Sequence, residues 1–414
     1  MLALVSPLPT ETVALAAALD RAIATRVLAP ATLPPWDNSA MDGYAVRGED
    51  VADARPDAPV ELRVVGEARA GIRWEGTLAP GEALRIMTGG PIPGGADSVV
   101  RVEDTDREVR PDRVSVRSAR DRGRNLRPGG QDMRAGDAIL EPGDTLGPGA
   151  IALAAAAGLG EVRVHRRPRV AVLTSGDELR GPDRFDDVRA GRGIPDTNGP
   201  LLLAAAVELG AEVVALGPVR DDVTALRERI EFARAAEVDL LVTVGGAALG
   251  ATDLFGQVLG ELGVSIDFWR VKIRPGSPFS AGSLPRPDGS SLPVLGLPGN
   301  PASAFATFHL FVRPALRRLA GHRRLDLPAI QAVAGSKLAG GFNLTHFLRV
   351  RLDARAGTLI ALPTGPQGSG LVRGLAGADG LAVVPEGTEE IPAGSPVTVL
   401  LLRLPYGDAA TAAR

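Results

Sequence analysis

The spacing of hydrophobic and polar residues divides the chain into segments with different predicted structures. Residues 11–25 (ETVALAAALDRAIAT) carry apolar side chains at helical spacing and predict an amphipathic helix. Residues 52–128 contain short alternating runs separated by glycine and proline, which is typical of a small β-rich module. Residues 145–165 predict an Ala-rich helix followed by the short strand EVRVHRR. Predicted helices therefore lie on both sides of the β-rich module.

Strands alternate with helices of about 12 residues over residues 168–322. This pattern predicts βαβ units and a mostly parallel, doubly wound sheet. Such a sheet binds ligands at the carboxyl ends of its strands, so we expect functional residues in the loops that follow the strands. These loops are TSGDEL, GPVRDD, VGGAALGATD and GLPGNP.

Short strands return over residues 323–406 and predict a small β-barrel or a sandwich, while the tail 407–414 is expected to be frayed. The apolar stretch 149–160 is shorter than the roughly 18 residues that cross a bilayer, so no membrane span is predicted. The N-terminal MLALVSPLPT lacks the basic region of a secretory signal. A cytoplasmic protein is therefore expected.

Composition excludes several kinds of chemistry. The 414 residues include no cysteine, which excludes disulfides, thiol catalysis and thiolate-bound metals. No two of the four histidines are spaced i,i+4, so a histidine-bound metal is not expected. The formal net charge of −3 gives no indication of nucleic-acid binding. Lysine is rare, since only Lys272 and Lys337 contribute to the 46 basic residues.

The loop after the predicted strand 239–244 is rich in glycine and leads directly into a helix. Gly245 and Gly246 begin the loop, and Gly250 and Asp253 lie close to the helix. Backbone N–H groups at glycines and at a helix N-terminus suit a phosphate group. A plain turn in which Asp253 caps the helix is an equally good interpretation.

Carboxylates occur in the loops after two neighbouring predicted strands. Asp177 and Glu178 follow the first strand, and Asp221 and Asp222 follow the second. Carboxylates at adjacent strand ends suit Mg²⁺ with waters and a bridging phosphate, although single acidic residues are also common as helix caps. With no cysteine and no histidine pair, a bound metal would be a hard ion with oxygen ligands.

Other loops carry further candidate residues. The turn from Pro298 to Pro301 joins a strand to a long helix, and a purely architectural role is an open alternative. Lys272 and Arg274 lie on one face of an extended run before a glycine turn, where they suit an oxyanion or form a solvated strand edge. The polar loops within residues 37–46 and 85–100 indicate a binding role or plain Ω-loops.

Jointly these motifs resemble those of the molybdopterin molybdenumtransferase family, which includes the bacterial MoeA proteins and the E domain of gephyrin. The resemblance extends over about residues 7–403, with the motifs in the family's order. No single motif is sufficient, but together they are very specific. They are DNSAMDGYAV, TGGPIPGGADSVV, TSGDEL, DTNGPLL, GPVRDD, GLPGNP and GPQGSG.

The resemblance implies a multidomain α/β protein that acts as a homodimer, with each site formed between the α/β domain of one subunit and the N-terminal domains of the other. It also implies the adenylyltransferase of molybdopterin and acceptor molybdoenzymes as partners. The implied domains are an elongated helical and β body (1–51 plus 129–166), a β-rich insertion domain (52–128), a molybdopterin-binding α/β domain (167–322) and a C-terminal β-barrel (323–406).

The family uses adenylylated molybdopterin, and in a step that depends on molybdate and Mg²⁺ it releases AMP and leaves molybdenum on the pterin dithiolene. The implied catalytic residues are Asp42, Thr88, Asp132, Glu178, Asp221 and Asp253, of which the last three are the candidate metal ligands. The implied molybdopterin-binding residues are Ser175, Gly176, Asp177, Gly245, Gly246, Gly250, Pro298, Gly299, Asn300 and Pro301. The candidate molybdate-binding residues are Lys272, Arg274, Ser277, Arg349 and Ser369.

Two loops depart from the family pattern. The hydroxyl-rich SGGVSVG of the family is VGGAALG here, and the lysine of its PGKP turn is replaced by Ser277. We hypothesise that Lys272 restores the missing ammonium group. The departures leave open a second interpretation, a non-catalytic paralogue that binds the pterin nucleotide or a partner protein as a carrier or scaffold. An unrelated nucleotide-sugar or dinucleotide enzyme is disfavoured because no GxGxxG motif is present.

Overall fold

The structure is a computed structural model that describes residues 1–69, 71–107, 109–245, 254–268, 270–355 and 357–404. The predictions made for Gly246, Gly250, Asp253 and the tail 407–414 lie outside these residues. The chain forms two compact units, of which the second consists of Arg26–Leu140 and Ala152–Gly160. The first consists of Met1–Thr25, Glu141–Ile151 and Glu161–Arg414. The finer division into four domains stays a prediction.

Short strands dominate the chain up to residue 140. In chain order they are β1 (Thr10–Ala14), β2 (Val27–Leu28), β3 (Asn38–Ser39), β4 (Gly43–Val46), β5 (Val60–Ala68), β6 (Glu82–Ile86), β7 (Ser98–Arg101), β8 (Arg113–Val116), β9 (Leu126–Arg127) and β10 (Ala138–Leu140). In the second unit, β7, β4, β6, β5 and β8 form a sheet in that order, and β3 pairs with β9. Val46, Leu62 and Val114 are among the side chains buried in its core. Residues 52–128 therefore contain the β-strands that their pattern predicted, but their sheet also includes β4, which lies outside that range.

The predicted helix over residues 11–25 is wrong. The Ala-rich helix is present as α1 (Pro148–Ala156), and the strand after it is β11 (Glu161–His165). β1 pairs antiparallel with β11 along its whole length and is followed only by a 3₁₀ turn, Leu15–Ala17. Asp20 then adopts a left-handed conformation (φ +60°), which a helix does not allow. Pairing with a distant strand has overridden a local helical pattern.

A doubly wound α/β sheet forms the centre of the first unit. The strands of this region are β12 (Arg169–Thr174), β13 (Leu179–Arg180), β14 (Ile194–Pro195), β15 (Glu212–Ala215), β16 (Leu240–Val244), β17 (Ser265–Phe268), β18 (Ile273–Arg274), β19 (Ser280–Pro285) and β20 (Ser291–Leu297). Of these, β13 and β14 pair only with each other, and β18 pairs with the C-terminal strand β23 (Thr345–Arg355). The helices of this region are α2 (Phe185–Arg189), α3 (Asn198–Glu208), α4 (Val223–Ala235), α5 (Leu254–Glu261), α6 (Pro301–Thr307) and α7 (Arg313–Leu319), the last two joined by a π-helical turn.

The sheet order is β15-β12-β16-β20-β19-β17, and the first four strands are parallel. Leu202 of α3 and Leu316 of α7 pack on one face of the sheet, whereas Leu226 of α4 and Val258 of α5 pack on the other. Helices therefore cover both faces, which confirms the doubly wound prediction.

The C-terminal strands close into a barrel rather than a sandwich. They are β21 (Ala329–Ala334), β22 (Leu338–Gly341), β23 (Thr345–Arg355), β24 (Thr358–Pro363), β25 (Gly380–Val384), β26 (Thr388–Ile391) and β27 (Pro396–Leu401), with the short helix α8 (Arg373–Ala376) before β25. The pairing runs β23-β24-β21-β27-β25, and β25 pairs back to β23. In the part of the chain that the structure describes, no helix is both long and apolar enough to cross a bilayer.

Asp239 fixes the beginning of β12 against the beginning of β16. Its carboxylate accepts two hydrogen bonds from Arg166 (2.6 and 2.7 Å) and one from the Arg169 N–H (2.8 Å). We expect Asp239→Asn to lower stability by about 1–2 kcal/mol, because the charge-assisted pair is lost at a mostly buried position. Thermal melting should show a drop of about 2–4 °C. Glu237→Gln, at a neighbouring exposed carboxylate, should leave the melting temperature unchanged.

Candidate active site

The carboxyl ends of β12, β15, β16 and β20 surround a cavity of about 300 Å³. The chain passes from β12 to β15 on one side and then from β15 to β16 on the other side of β12, so a crevice opens at this switch point. The structure thus brings together the loops in which the sequence predicted functional residues. The lining residues are Ser175, Gly176, Glu178, Leu179, Ile194, Asn198, Asp221, Val244, Gly245, Leu254 and Gly299.

Backbone hydrogen bonds beyond the strand ends hold these loops together. The Ser175 N–H donates to the Val244 carbonyl (3.2 Å), and the Gly176 N–H donates to the Val219 carbonyl (3.1 Å). Val219 in turn donates to the Thr174 carbonyl (2.9 Å). The cavity wall is therefore a continuation of the sheet, which makes it a preorganised surface.

Two carboxylates, Glu178 and Asp221, line the cavity. A Cβ on Gly176 would lie 2.8 Å from Glu178 Oε2, so the Glu178 carboxylate occupies space that only glycine leaves free. The Asp221 N–H donates to Asp177 Oδ1 (3.3 Å). The Asp177 carboxylate therefore holds the loop that contains Asp221. Among the described residues, no three acidic or histidine side chains form a cluster that could hold a metal by themselves.

Asn198 is a lining residue that sequence reasoning missed. It is 7% exposed, and its Nδ2 donates to the Gly299 carbonyl (2.7 Å) while its buried Oδ1 has no hydrogen-bond partner. The amide therefore connects the start of α3 to the loop after β20. Asn198 lies in the motif DTNGPLL, directly before a helical pattern. That position could have indicated a residue whose side chain acts at the start of a helix.

The loop after β20 meets a loop of the barrel. Pro298 is buried, Pro301 begins α6, and the carbonyl of Asn300 accepts hydrogen bonds from the first turn of that helix. The Ala302 N–H donates to the carbonyl of Ser369 (2.9 Å). The structure thus places the predicted molybdate residue Ser369 beside the predicted pterin residues 298–301.

Arg349 of β23 is a buried cation without a charged partner among the described residues. It is 1% exposed, and Nη2 donates to the carbonyls of Pro366 (3.0 Å) and Gly368 (3.3 Å). Its Nε and Nη1 have no hydrogen-bond partner, and burial lowers the pKa of the guanidinium. Because an unpaired buried charge is costly, these donors are suited to a bound anion.

The remaining cationic residues lie at the junction of β18 and the barrel. β18 pairs with β23, so that Arg274 is opposite His346. Burial, and then the charge of Arg274, lower the pKa of His346. Lys272 is exposed and forms an ion pair with Glu386 (Nζ–Oε1 3.1 Å), while the Ser277 carbonyl accepts a hydrogen bond from the Val271 N–H. The structure therefore places the ammonium of Lys272 in a surface ion pair.

Asp42, Thr88 and Asp132 belong to the second unit. Asp42 Oδ1 accepts hydrogen bonds from the Thr88 N–H (2.7 Å) and from the Thr88 hydroxyl (2.8 Å). These two bonds, the backbone one first, lower the pKa of Asp42. Asp132 is exposed, and its N–H donates to the Leu33 carbonyl (3.2 Å).

Three family models match successive parts of this chain. Residues 1–158 match the family model for the MoeA N-terminal region (domain I and II), residues 171–318 match a probable molybdopterin binding domain, and residues 331–402 match the MoeA C-terminal region (domain IV). The protein is thus a multidomain α/β protein of the MoeA class.

Relatives and solved structures agree. The chain is 38% identical over 396 residues to a molybdopterin molybdenumtransferase of Nostoc sp., covering 95% of this chain and 89% of that protein. It is 38% identical over 381 residues to molybdopterin molybdenumtransferase 2 of Mycobacterium tuberculosis, covering 90% of each chain. The crystal structure of a molybdopterin biosynthesis moeA protein from Pyrococcus horikoshii superposes with a TM-score of 0.80 at 27% identity, covering 97% of both chains. The chain belongs to the molybdopterin molybdenumtransferase family, as its motifs predicted.

The contact between Gly176 and Glu178 gives a testable prediction. We expect Gly176→Ala to displace the Glu178 carboxylate and to lower kcat of the molybdenumtransferase reaction by about tenfold or more, since small displacements of groups in an active site are costly. Steady-state kinetics measure this effect. Gly260→Ala is the control, because a Cβ there meets no neighbouring atom. An unchanged kcat in Gly176→Ala would show that the position of Glu178 does not matter.

The pair formed by Asp42 and Thr88 gives a second prediction. Thr88→Val removes the hydroxyl donor but keeps the backbone N–H, so the pKa of Asp42 should rise part of the way to its ordinary value. A lowered carboxyl pKa stabilises the fold above the unfolded-state pKa, and this stabilisation is lost as the pH falls through the folded-state pKa. The variant should therefore be less stable at neutral pH, with a smaller loss on acidification. NMR titration of the Asp42 carboxyl measures the shift, and an unmoved pKa contradicts the assignment.

Proposed function

We propose that this protein is a molybdopterin molybdenumtransferase of molybdenum cofactor biosynthesis that inserts molybdenum from molybdate into adenylylated molybdopterin and releases AMP. Family membership over nearly the whole chain supports the overall reaction. The observation that carries the proposal is the cavity at the carboxyl edge of the sheet, with Glu178 and Asp221 in its wall. We propose that the protein acts in the cytoplasm. Its proposed protein partners are acceptor molybdoenzymes and the adenylyltransferase of molybdopterin.

Glu178 and Asp221 fit a magnesium site. Both are oxygen donors in the wall of one cavity, and Mg²⁺ commonly combines one or two carboxylates with waters and substrate phosphates. Asp253 is the third proposed ligand. When bound, Mg²⁺ neutralises negative charge on the phosphoanhydride. The same carboxylates orient water toward the phosphorus atom, while the backbone N–H groups of the Gly245 and Gly246 loop bind the phosphate of the pterin.

The pterin is proposed to occupy the groove formed by Ser175–Asp177, the loop with Gly250 and the turn Pro298–Pro301. Asn198 supports this groove because it fixes the carbonyl of Gly299. Molybdate, as the second substrate, is proposed to bind at Arg349 and Ser369, near the turn that contains Arg274 and Ser277. The free donors of Arg349 support this assignment, since a tetrahedral dianion supplies the missing acceptors.

The second unit is proposed to act through a homodimer. In this arrangement Asp42, Thr88 and Asp132 of one subunit complete the cavity of the other. The lowered pKa of Asp42 supports the role of a permanently charged group at neutral pH. Asp42 would then orient a donor on the substrate rather than exchange a proton.

A non-catalytic paralogue that carries the pterin nucleotide is the second candidate function. The replacement of family hydroxyls in VGGAALG and of a lysine at Ser277 favours it. Pure protein incubated with adenylylated molybdopterin, Mg²⁺ and molybdate distinguishes the two functions by the AMP that is released. AMP release that requires molybdate is expected. No release, or release that is indifferent to molybdate, would support the carrier.

Two of the candidate cations for molybdate, Arg349 and Lys272, give a further prediction. Arg349→Met should abolish the stimulation of AMP release by molybdate, because a buried, preorganised cation is removed. Lys272→Ala should weaken the molybdate dependence if its ammonium replaces the lysine missing at Ser277. Titration of AMP release with molybdate measures both effects. Lys337→Ala, at the other lysine, is the control. A titration curve unchanged by Lys272→Ala would assign Lys272 only to its ion pair with Glu386.

A further inference from the structure

An arginine–carboxylate network centred on Asp187 lies beside the loop that carries Glu178. Asp187, on α2, forms ion pairs with Arg184 (Nη2–Oδ2 2.6 Å) and Arg192 (Nη2–Oδ1 2.7 Å). Its Oδ2 is also 3.7 Å from Nε of Arg180. The Asp187 side chain is only 19% exposed although it belongs to a surface helix. Three guanidinium groups therefore share one carboxylate.

Arg180 contacts the backbone on both sides of Glu178. Its Nη1 donates to the carbonyl of Asp177 (2.7 Å) and to the carbonyl of Leu179 (2.8 Å). The Nε atom is buried and makes no hydrogen bond, so the Asp187 carboxylate is the charge that compensates it. The guanidinium thus fixes the peptide units 177–178 and 179–180, which enclose Glu178 and Leu179.

The short pairing of β13 with β14 holds the same segment from the other side. The Ile194 N–H donates to the Glu178 carbonyl (2.8 Å), and the Asp196 N–H donates to the Arg180 carbonyl (2.9 Å). Gly193 makes this close approach possible, because a Cβ there would lie 2.5 Å from the Glu178 carbonyl oxygen. Arg192, which binds Asp187, directly precedes Gly193, so the network reaches both strands.

We propose that Arg180 is a positioning residue for Glu178, and that Asp187 keeps Arg180 in place because its carboxylate attracts Arg180, Arg184 and Arg192 together. The proposal rests on the proposed function, in which Glu178 acts on the substrate. Exposed ion pairs usually contribute little, but here the side chains of Arg180 and Asp187 are mostly buried and share one network. Without the Asp187 charge, the three guanidiniums repel one another and Arg180 loses its contacts with the loop.

Hydrogen exchange tests the structural part without any assay of function. Asp187→Asn should accelerate exchange of the Ile194 and Asp196 amides by about tenfold or more, because local opening of this strand pair becomes easier. Asp186→Asn is the matched control, since Asp186 is the preceding residue of the same helix and is 90% exposed. Equal protection of both amides in wild type and Asp187→Asn would overturn the proposal.

AMP release tests whether the network acts through Glu178. Asp187→Asn and Arg180→Met should each lower kcat by about tenfold with little change in KM, because a reacting group is misplaced while binding is retained. In a Glu178→Gln background, Asp187→Asn should cause no further loss. An equal loss in both backgrounds would show that Asp187 does not act through Glu178. If wild-type protein releases no AMP, the proposed function fails, and the exchange experiment still decides the positioning.

Discussion

The pairing of β12 between β15 and β16 is the constraint on which the candidate site depends. Parallel strands present their carboxyl ends at one edge, so three loops that are distant in sequence must leave the sheet side by side. The registers Val170↔Val213 and Val170↔Leu240 fix how far each loop projects. A slip of one residue would move each side chain of a strand to the other face of the sheet. It would also shift the loop that follows the strand and separate Glu178 from Asp221. Sheet register thus sets the distance between the two carboxylates.

Charge burial is the second theme of the structure. Arg349 lies almost fully inside the protein with two free donors, at a cost of several kcal/mol for an uncompensated cation. The packing around Arg349 must offset this cost, since the described residues give its guanidinium only two backbone carbonyls as hydrogen-bond acceptors. Asp187 shows the opposite arrangement, in which one carboxylate serves several arginines. The protein therefore leaves a buried cation without a carboxylate where a ligand is proposed, and supplies a carboxylate where a loop is held.

Local patterns predicted the α/β sheet well, because buried parallel strands are short apolar runs such as Leu240–Val244 and the helices between them are amphipathic. The loops at the strand ends followed from that topology. Closure of the barrel did not, since the pairing of β23 with β25 joins residues that no local pattern relates. Asn198 and the Asp187 network were missed for the same reason: their roles depend on carbonyls and guanidiniums that meet only in the folded chain. Roles for Arg349 and Ser369 came only from the family resemblance.

The distance in sequence between β1 and β11 has a consequence for synthesis. Thr10–Ala14 emerges first, yet its partner Glu161–His165 follows about 150 residues later. At ordinary rates of translation the N-terminal strand waits unpaired for roughly ten seconds. During that time the helical spacing of residues 11–25 has no competitor, so the nascent segment is free to form the helix that the finished protein rejects. Completion of β11 then allows the segment to become a strand, before the α/β sheet and the barrel of the first unit have been synthesised.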